Sequence, residues 1–320
     1  MDIPLQSVRV SACAASPLAL ADLIRKIKTP TMGKYGKLED SHFSNFKGRV
    51  YENGILTLKL TSWDEFHTIT QIFFDNRTDY IWRGHQDEKW ELKSFFDRES
   101  SKHDFISPIT NRQDKLDEIL KKFKLRLKEL SYTNINSITE DEVWAIGQHY
   151  GLPTPLLDWT ECPYIAAFMA FRKKGTEKQS ENRVVYALNR ALKRPISKTK
   201  NAKTKEVLSR DRFVEFLDLT KTSDDMQNER LKNQKGRFTK ALNGIDIKTN
   251  ILYFSNKRRE IVEAKKVILA EILIPDKERD KCLNYLRKEK GITHGRLFPD
   301  YPGAVEICKI DLGIVGSRNH

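Results

Sequence analysis

The stretch that most constrains this fold is Trp144–Phe171, WAIGQHYGLPTPLLDWTECPYIAAFMAF. Two prolines at its centre, Pro153 and Pro155, cannot continue a helix and stiffen the backbone. The run before them predicts a helix that stops at Gly151, and the run LLDWT after them predicts a short buried strand. A second helix is predicted from the following apolar run, with Pro163 in its first turn. This order is typical of a protein that presents polar groups at a cleft beside a sheet.

Polar and aromatic residues cluster where the first helix and the strand end. We expect these residues to line a site: Gln148, His149, Asp158, Trp159 and Thr160. The run YIWRGH predicts another strand, which ends at Arg83 and Gly84 and so holds a cation at the sheet edge, facing the cluster. Glycine there would let backbone or ligand approach closely. A solvated arginine at an ordinary strand end gives the same pattern, and for Arg-Gly alone it is the more frequent case.

Composition sets the class of protein. Of 320 residues 39% are hydrophobic, with sixteen Phe and five Trp, enough to form a core. The formal net charge of +13 favours anionic ligands and polyanions. Cys13, Cys162, Cys282 and Cys308 are widely separated, which predicts neither a metal site nor a disulfide framework and favours the cytoplasm. No apolar run reaches the roughly 18 residues that span a bilayer, so no membrane association is predicted.

The remaining patterns predict one main α+β domain with a mixed sheet flanked by helices. Strands are predicted at Ile55–Leu60, in NRVVYALNRAL, after Gln234 and in KKVILAEILIP. Ser62 with Glu65 predicts a capping box, and KLDEILKKFKLRLKEL predicts an amphipathic helix. The predicted boundaries are an N-terminal extension at 1–54, the main domain at 55–312 with a basic insertion near 193–212, and a tail at 313–320.

Several motifs together resemble the FRG domain family, which is named for an aromatic-Arg-Gly motif. The resemblance covers roughly residues 60–305. It is carried by Trp82-Arg83-Gly84, Gln148–Thr154, Leu156–Thr160, Ala166–Phe171, Arg230 with Gln234–Phe238, and Leu297–Asp300. Trp82 stands where the family name has Phe, and Pro155 stands where a basic residue is expected.

The order of these motifs is also similar, more weakly, to the ADP-ribosyltransferase fold. That resemblance implies an NAD-binding cleft in which Arg83 grips a phosphate or ribose, with Gly84, Gln148, Tyr150 and Trp159 as further cofactor-binding residues. Trp159 would stack on nicotinamide or adenine. Asp158-Trp159-Thr160 would buttress the pocket, and Gln234 would take the late catalytic position. The predicted catalytic set is therefore Arg83, His149, Asp158, Thr160 and Gln234, with no metal.

A glutamine cannot offset the positive charge that develops on ribose when nicotinamide departs. Transfer therefore requires Asp158 or Glu229 to supply that charge, while NAD hydrolysis or binding without turnover stay open. His149 is read equally well as a general base or as a hydrogen-bonded core histidine. Asp158 also has structural readings, as a cap for the helix near Pro163 or as an ion-pair partner of Arg83.

Three functions follow from these readings. The first is an NAD-using, ADP-ribosyltransferase-like enzyme or NAD glycohydrolase acting as a toxin or antiviral effector, with protein or nucleic acid as acceptor. The second is a non-catalytic nucleic-acid or nucleotide-binding module, favoured by the net charge and the lysine-rich segment near 193–212. The third is a protein-interaction scaffold whose cleft residues belong to the core. The sequence does not indicate an oligomeric state.

Overall fold

A computed structural model describes most of the chain. The described residues are 38–76, 79–103, 112–130, 137–174, 181–190, 214–217, 219, 225–241, 244–256 and 259–312. The run VSACAASPLALADLI predicts the start of a helix near Ser16 or Pro17. This run, the basic insertion near 193–212 and the tail at 313–320 lie outside these ranges.

The described strands form a single mixed sheet of eight strands. They are β1 (Arg49–Glu52), β2 (Ile55–Lys59), β3 (Tyr80–His85), β4 (Leu156–Thr160), β5 (Asn182–Asn189), β6 (Val214–Leu217), β7 (Gly236–Ala241) and β8 (Leu269–Pro275). Their order across the sheet is β1-β2-β8-β5-β3-β4-β7-β6. The pair β2–β8 is parallel and the other neighbouring pairs are antiparallel. The predicted α+β class with a mixed sheet is confirmed.

Helices flank the sheet. They are α1 (Trp63–Asp75), α2 (Phe95–His103), α3 (Arg112–Glu129), α4 (Glu140–His149), α5 (Pro163–Phe171), α6 (Asp225–Asn233), α7 (Ile247–Asn256), α8 (Arg259–Glu263), α9 (Arg279–Lys290), α10 (His294–Leu297) and α11 (Tyr301–Asp311). The Thr139 side chain accepts from the Glu142 amide and so caps α4. Gly291 ends α9 in the left-handed conformation, with φ at 60°.

The central helix α5 is buried on almost every side, because it packs directly on β3 and β5. Its alanines bring the helix backbone against the sheet: a Cβ at Gly84 would overlap the carbonyl oxygen of Ala166 and lie 2.7 Å from the Ala170 nitrogen. One large cluster, with Trp82, Tyr164 and Phe171, fills this face. A second cluster fills the opposite face, where α7 packs on the sheet with Ile247 and Ile251.

The structure corrects several local predictions. Ser62 precedes α1 but its side chain makes no capping bond; Glu65 instead accepts from the Thr61 amide at 2.7 Å. Leu130, at the end of the amphipathic run KLDEILKKFKLRLKEL, is 79% exposed.

Part of the predicted N-terminal extension is built into the domain. Strand β1 pairs with β2, and Leu38 and Phe43 are fully buried in the main core. In the described part of the chain, no helix combines the length and the apolar character needed to cross a membrane.

Candidate functional site

The sheet opens between β3 and β4, the fifth and sixth strands of its order. Strand β3 pairs with β5 along its whole length, and β4 pairs with β7 along its whole length. Between β3 and β4, however, the only paired residues are Trp82 and Thr160. Beyond that pair the two strands separate, so side chains and not a hydrogen-bonded ladder occupy the space between them.

A cavity of about 940 Å³ lies at this opening. This volume is at the upper end of the range typical of small-molecule sites, about 300–1,000 Å³. The structure brings eight of the predicted site residues together around it: Arg83, Gly84, Gln148, His149, Asp158, Trp159, Thr160 and Gln234. Among the predicted site residues only Tyr150 is not part of the lining. It directly follows the last residue of α4 and is 65% exposed.

Arg83 bridges the gap between the two strands. Its Nη1 donates to the backbone carbonyl oxygen of Asp158 at 2.6 Å, and its Nε donates to Nε2 of His85 at 2.7 Å. Burial lowers the pKa of Arg83 to about 10, although the nearby charge of Asp158 opposes the shift. The guanidinium is therefore still charged at neutral pH. Within the described residues no carboxylate forms an ion pair with it and no hydrogen bond engages Nη2, which leaves that group for an anion.

His85 holds Arg83 in this orientation. Burial, and then the charge of Arg83, keep the pKa of His85 well below its ordinary value, so the ring is neutral. A neutral ring that accepts at Nε2 carries its proton on Nδ1, which lies 3.3 Å from the carbonyl oxygen of Trp90. Sequence reasoning missed His85. A signal was present, since residues two apart in a strand share a face and His85 follows Arg83 by two positions.

The carboxylate of Asp158 is exposed towards the cavity and is oriented by Gln148. The Gln148 Nε2 donates to Asp158 Oδ1 at 2.6 Å, and Thr154 Oγ1 donates to the Gln148 Oε1. Neither structural reading of Asp158 is realised as predicted. Cys162 is the N-cap of α5, and Arg83 contacts the backbone of Asp158 instead of its carboxylate.

Thr160 and Gln234 line the cavity, but their hydrogen bonds join the segments that form its wall. Thr160 Oγ1 donates to the Gln234 carbonyl oxygen at 2.6 Å and accepts from the Cys162 amide at 3.1 Å. The Gln234 side chain donates from Nε2 to the Leu297 carbonyl oxygen at 2.9 Å. These bonds tie β4 to the loop before β7, and that loop to the end of α10.

Two further predicted residues have packing roles. Trp159 is 3% exposed, and its Nε1 donates to Thr239 Oγ1 at 2.8 Å within the core, so only part of its ring borders the cavity. Gly84 is required for the close approach of the α5 backbone. Of the two roles predicted for this glycine, close approach of backbone or of ligand, this is the first. Glu229, considered as a source of negative charge, is exposed and lies outside the cavity lining.

His149 faces a buried carboxylate. Its Nε2 lies 3.7 Å from Oδ2 of Asp300. The same Oδ2 accepts a hydrogen bond from Arg230 at 3.0 Å, and Oδ1 of Asp300 accepts one from the Gly303 amide at 2.8 Å. Burial would raise the pKa of Asp300, but the Gly303 hydrogen bond and the charges of Arg230 and His149 outweigh it and lower that pKa. Asp300 thus caps α11 and anchors two cavity residues.

The cavity is strongly basic. Besides Arg83, its lining contains six cationic residues: Lys89, Lys93, Arg98, Arg172, Arg230 and Arg237. Three of them have acidic partners, in Lys93–Glu91 at 2.8 Å, Arg230–Asp300 at 3.0 Å and Arg237–Glu161 at 2.6 Å. Sequence reasoning could not single out Arg98 or Arg172, because isolated arginines are common in a chain with this charge. Within the described residues no group of three or more His, Cys, Asp or Glu side chains is arranged for a metal ion.

Comparison with known proteins supports one part of the sequence reading. A model of the FRG domain matches residues 78–180, which contain β3, β4, α5 and most of the cavity residues. The match confirms the resemblance to the FRG domain family over that part of the chain. No curated protein and no solved structure matches the chain.

Proposed function

Starting from the FRG domain at residues 78–180, we propose that the chain binds NAD in the cavity between β3 and β4 and cleaves its nicotinamide–ribose bond. ADP-ribose passes to water, which makes the protein an NAD glycohydrolase, or to a protein or nucleic-acid acceptor. One observation carries the proposal. A charged arginine without an ion-pair partner among the described residues, Arg83, and an exposed carboxylate, Asp158, border the same cavity.

The arginine side of the cavity suits a pyrophosphate. Nη2 of Arg83 is directed at no hydrogen-bond acceptor among the described residues, and Arg98 adds a second guanidinium to the lining. Arginine is the side chain best matched to phosphate oxygens, because its planar fork donates two parallel hydrogen bonds. His85 fixes the fork in place, so little side-chain entropy is lost when the ligand binds.

The carboxylate side suits the reacting ribose. When the bond between ribose C1′ and the nicotinamide nitrogen breaks, its electron pair leaves with nicotinamide and positive charge develops on the ribose ring. Asp158 supplies a fixed negative charge for that cation, held by Gln148 before the reaction begins. Attack of water at C1′ then gives ADP-ribose and releases one proton. In this scheme Gln234 needs no charge, and its hydrogen bond to Leu297 is a structural one.

An enzyme of this kind that acts without restraint lowers the NAD level of its cell. This outcome fits the predicted role as a toxin or antiviral effector, and it remains part of the proposal.

The test is release of nicotinamide from NAD by the purified chain, measured by chromatography. We expect Asp158→Asn to slow release about 10²–10³-fold, the loss typical of a preorganised electrostatic group. Asn keeps the Oδ1 that accepts from Gln148. The matched control is Asp117→Asn on α3, where Oδ1 accepts from Gln113 at 2.8 Å on the exposed surface. Absence of nicotinamide release from the unmodified protein, or full activity of Asp158→Asn, contradicts the proposal.

A non-catalytic nucleic-acid-binding module is the second candidate. The observation that favours it is the basic character of the chain, with a net charge of +13 and seven cationic residues around the cavity. Binding of this kind weakens steeply as salt rises, because counterions are released from the phosphates. Single-stranded DNA or RNA that binds with a steep salt slope, together with no turnover of NAD, would support this candidate over the enzyme.

A further inference from the structure

A second basic group lines the cavity, and it is centred on Phe298. The guanidinium carbon of Arg172 lies 5.1 Å from the centre of the Phe298 ring, and that of Arg230 lies 4.8 Å from it. All three residues line the cavity. Phe298 belongs to the Leu297–Asp300 motif, to which the proposed NAD chemistry assigns no role.

The two arginines differ in how their charge is balanced. Arg230 is paired with the buried carboxylate of Asp300 at 3.0 Å. Arg172 has no carboxylate within ion-pairing distance among the described residues, and the only opposing effect on its pKa comes from the charge of Glu306. Its pKa is lowered by burial, and the charge of Arg230 lowers it further. The positive charge of Arg172 is therefore partly removed from water and is repelled by the positive charge of Arg230. An anion in the cavity would stabilise the charged form of Arg172.

A purely structural role explains Arg172 less well. The residue ends α5, and a cation at a helix C-terminus is favoured by the helix dipole. That interaction is available to a solvated side chain, and the end of α5 already has a cationic partner, because Arg279 Nε donates to the Phe171 carbonyl oxygen at 2.9 Å. Arg172 instead turns onto Phe298 at the cavity wall. The contact with the ring fixes its direction without neutralising its charge.

We propose that Arg172 and Arg230 form a second anion subsite, and that the ligand of this cavity carries a phosphate monoester in addition to the pyrophosphate near Arg83. The proposal rests on the proposed function for the identity of the ligand as a dinucleotide. Within that class it selects NADP, which differs from NAD by one phosphate on the adenosine ribose. Arginine pairs recognise such a group through charge-assisted hydrogen bonds.

The test compares NAD with NADP by titration calorimetry, for the unmodified chain and for Arg172→Gln. We expect NADP to bind about tenfold more tightly than NAD, and this preference to fall to near unity in Arg172→Gln. Arg126→Gln on α3 is the control, since Arg126 pairs with Glu129 at the surface with 74% of its side chain exposed. Equal binding of the two dinucleotides, or a preference for NADP that survives in Arg172→Gln, overturns the subsite.

Inorganic tripolyphosphate separates failure of the subsite from failure of the proposed function. If neither dinucleotide binds but tripolyphosphate does, and Arg172→Gln weakens it about tenfold while Arg126→Gln does not, the subsite stands and the dinucleotide assignment falls. If tripolyphosphate binds equally to all three proteins, the subsite is wrong. Thermal melting of each variant shows that it is folded before its binding is compared.

Discussion

Nη1 of Arg83 lies 2.6 Å from the backbone carbonyl oxygen of Asp158, across the point where β3 and β4 stop pairing. A side chain thus makes the contact that a neighbouring strand makes elsewhere in the sheet. The same guanidinium is held by His85 and faces the cavity with its remaining nitrogen. One residue therefore joins the two parts of the sheet and offers the ligand a charge.

Replacement of Arg83 should affect binding and stability together. We expect Arg83→Ala to weaken NAD binding more than tenfold and to lower the free energy of unfolding by about 1–3 kcal/mol, because it leaves two acceptors without a donor. Arg83→Lys should restore only part of the binding, since an ammonium group cannot reproduce the planar fork that reaches both acceptors. Calorimetry and urea denaturation measure the two effects. If Arg126→Ala, the exposed control, loses as much affinity as Arg83→Ala, the effect is one of general charge and not of this site.

The neutral state of His85 predicts a pH dependence of stability. Its pKa in the folded chain lies well below 6.5, so below pH 6.5 the unfolded chain takes up a proton that the folded chain does not. The free energy of unfolding should therefore fall as the pH drops below 6.5, by at most about 1.4 kcal/mol per pH unit from this group. His85→Gln keeps an acceptor for Arg83 but cannot titrate, so that part of the slope should vanish. Urea denaturation at pH 7.5, 6.0 and 5.0 tests this, and identical slopes for both proteins would refute it.

Two glycines predict different costs for the same substitution. Gly84→Ala places a Cβ against the backbone of α5, which cannot move without disturbing the core, so we expect a loss of about 3 kcal/mol or more. Gly151 has φ at 88° but nothing within 4 Å of a built Cβ, so Gly151→Ala carries only the conformational cost, about 1–2 kcal/mol. Chemical denaturation gives both values. A Gly84→Ala protein as stable as the Gly151→Ala protein would contradict the packing found between β3 and α5.

The chain of hydrogen bonds from Thr154 through Gln148 to Asp158 predicts coupled energetics. Thr154 is fully buried, so Gln148→Ala removes the acceptor of its hydroxyl and should cost about 1–3 kcal/mol. In the background of Thr154→Val that donor is already gone, and the same change should cost less. A double-mutant cycle by urea denaturation should give a coupling energy of about 0.5–3 kcal/mol. Strictly additive losses would mean that the two side chains do not interact.

Secondary structure was largely predictable because local signals agreed with packing. Pro163 begins α5, Thr139 caps α4, and the β-branched run before Asn189 forms the fully buried β5. The α+β fold class with a mixed sheet followed from these elements. Failures came where a local rule had a competitor, as at Ser62, whose expected partner Glu65 bonds to Thr61 instead.

The site was predictable as a set of residues but not as an arrangement. The motifs pointed to Arg83 and Asp158 as site residues. The contact between them depends on how strands far apart in sequence are arranged, and no local sequence pattern encodes that arrangement. The same is true of Asp300, which gathers His149 and Arg230 from two other helices. Tyr150 directly follows the cavity residues Gln148 and His149 in the sequence, but at the end of α4 it is exposed and lies outside the cavity lining.

Of the described strands, five lie on one side of the opening and three on the other, and among them only the pair Trp82 and Thr160 joins the two sides. Where neighbouring strands are paired, main-chain hydrogen bonds fix the distance between them, so that distance cannot vary. Here the groove is spanned by side chains, and its width depends on which side chains they are. Ligand size is therefore a trait that single substitutions at this opening can alter, while every other strand keeps its register and the fold is retained.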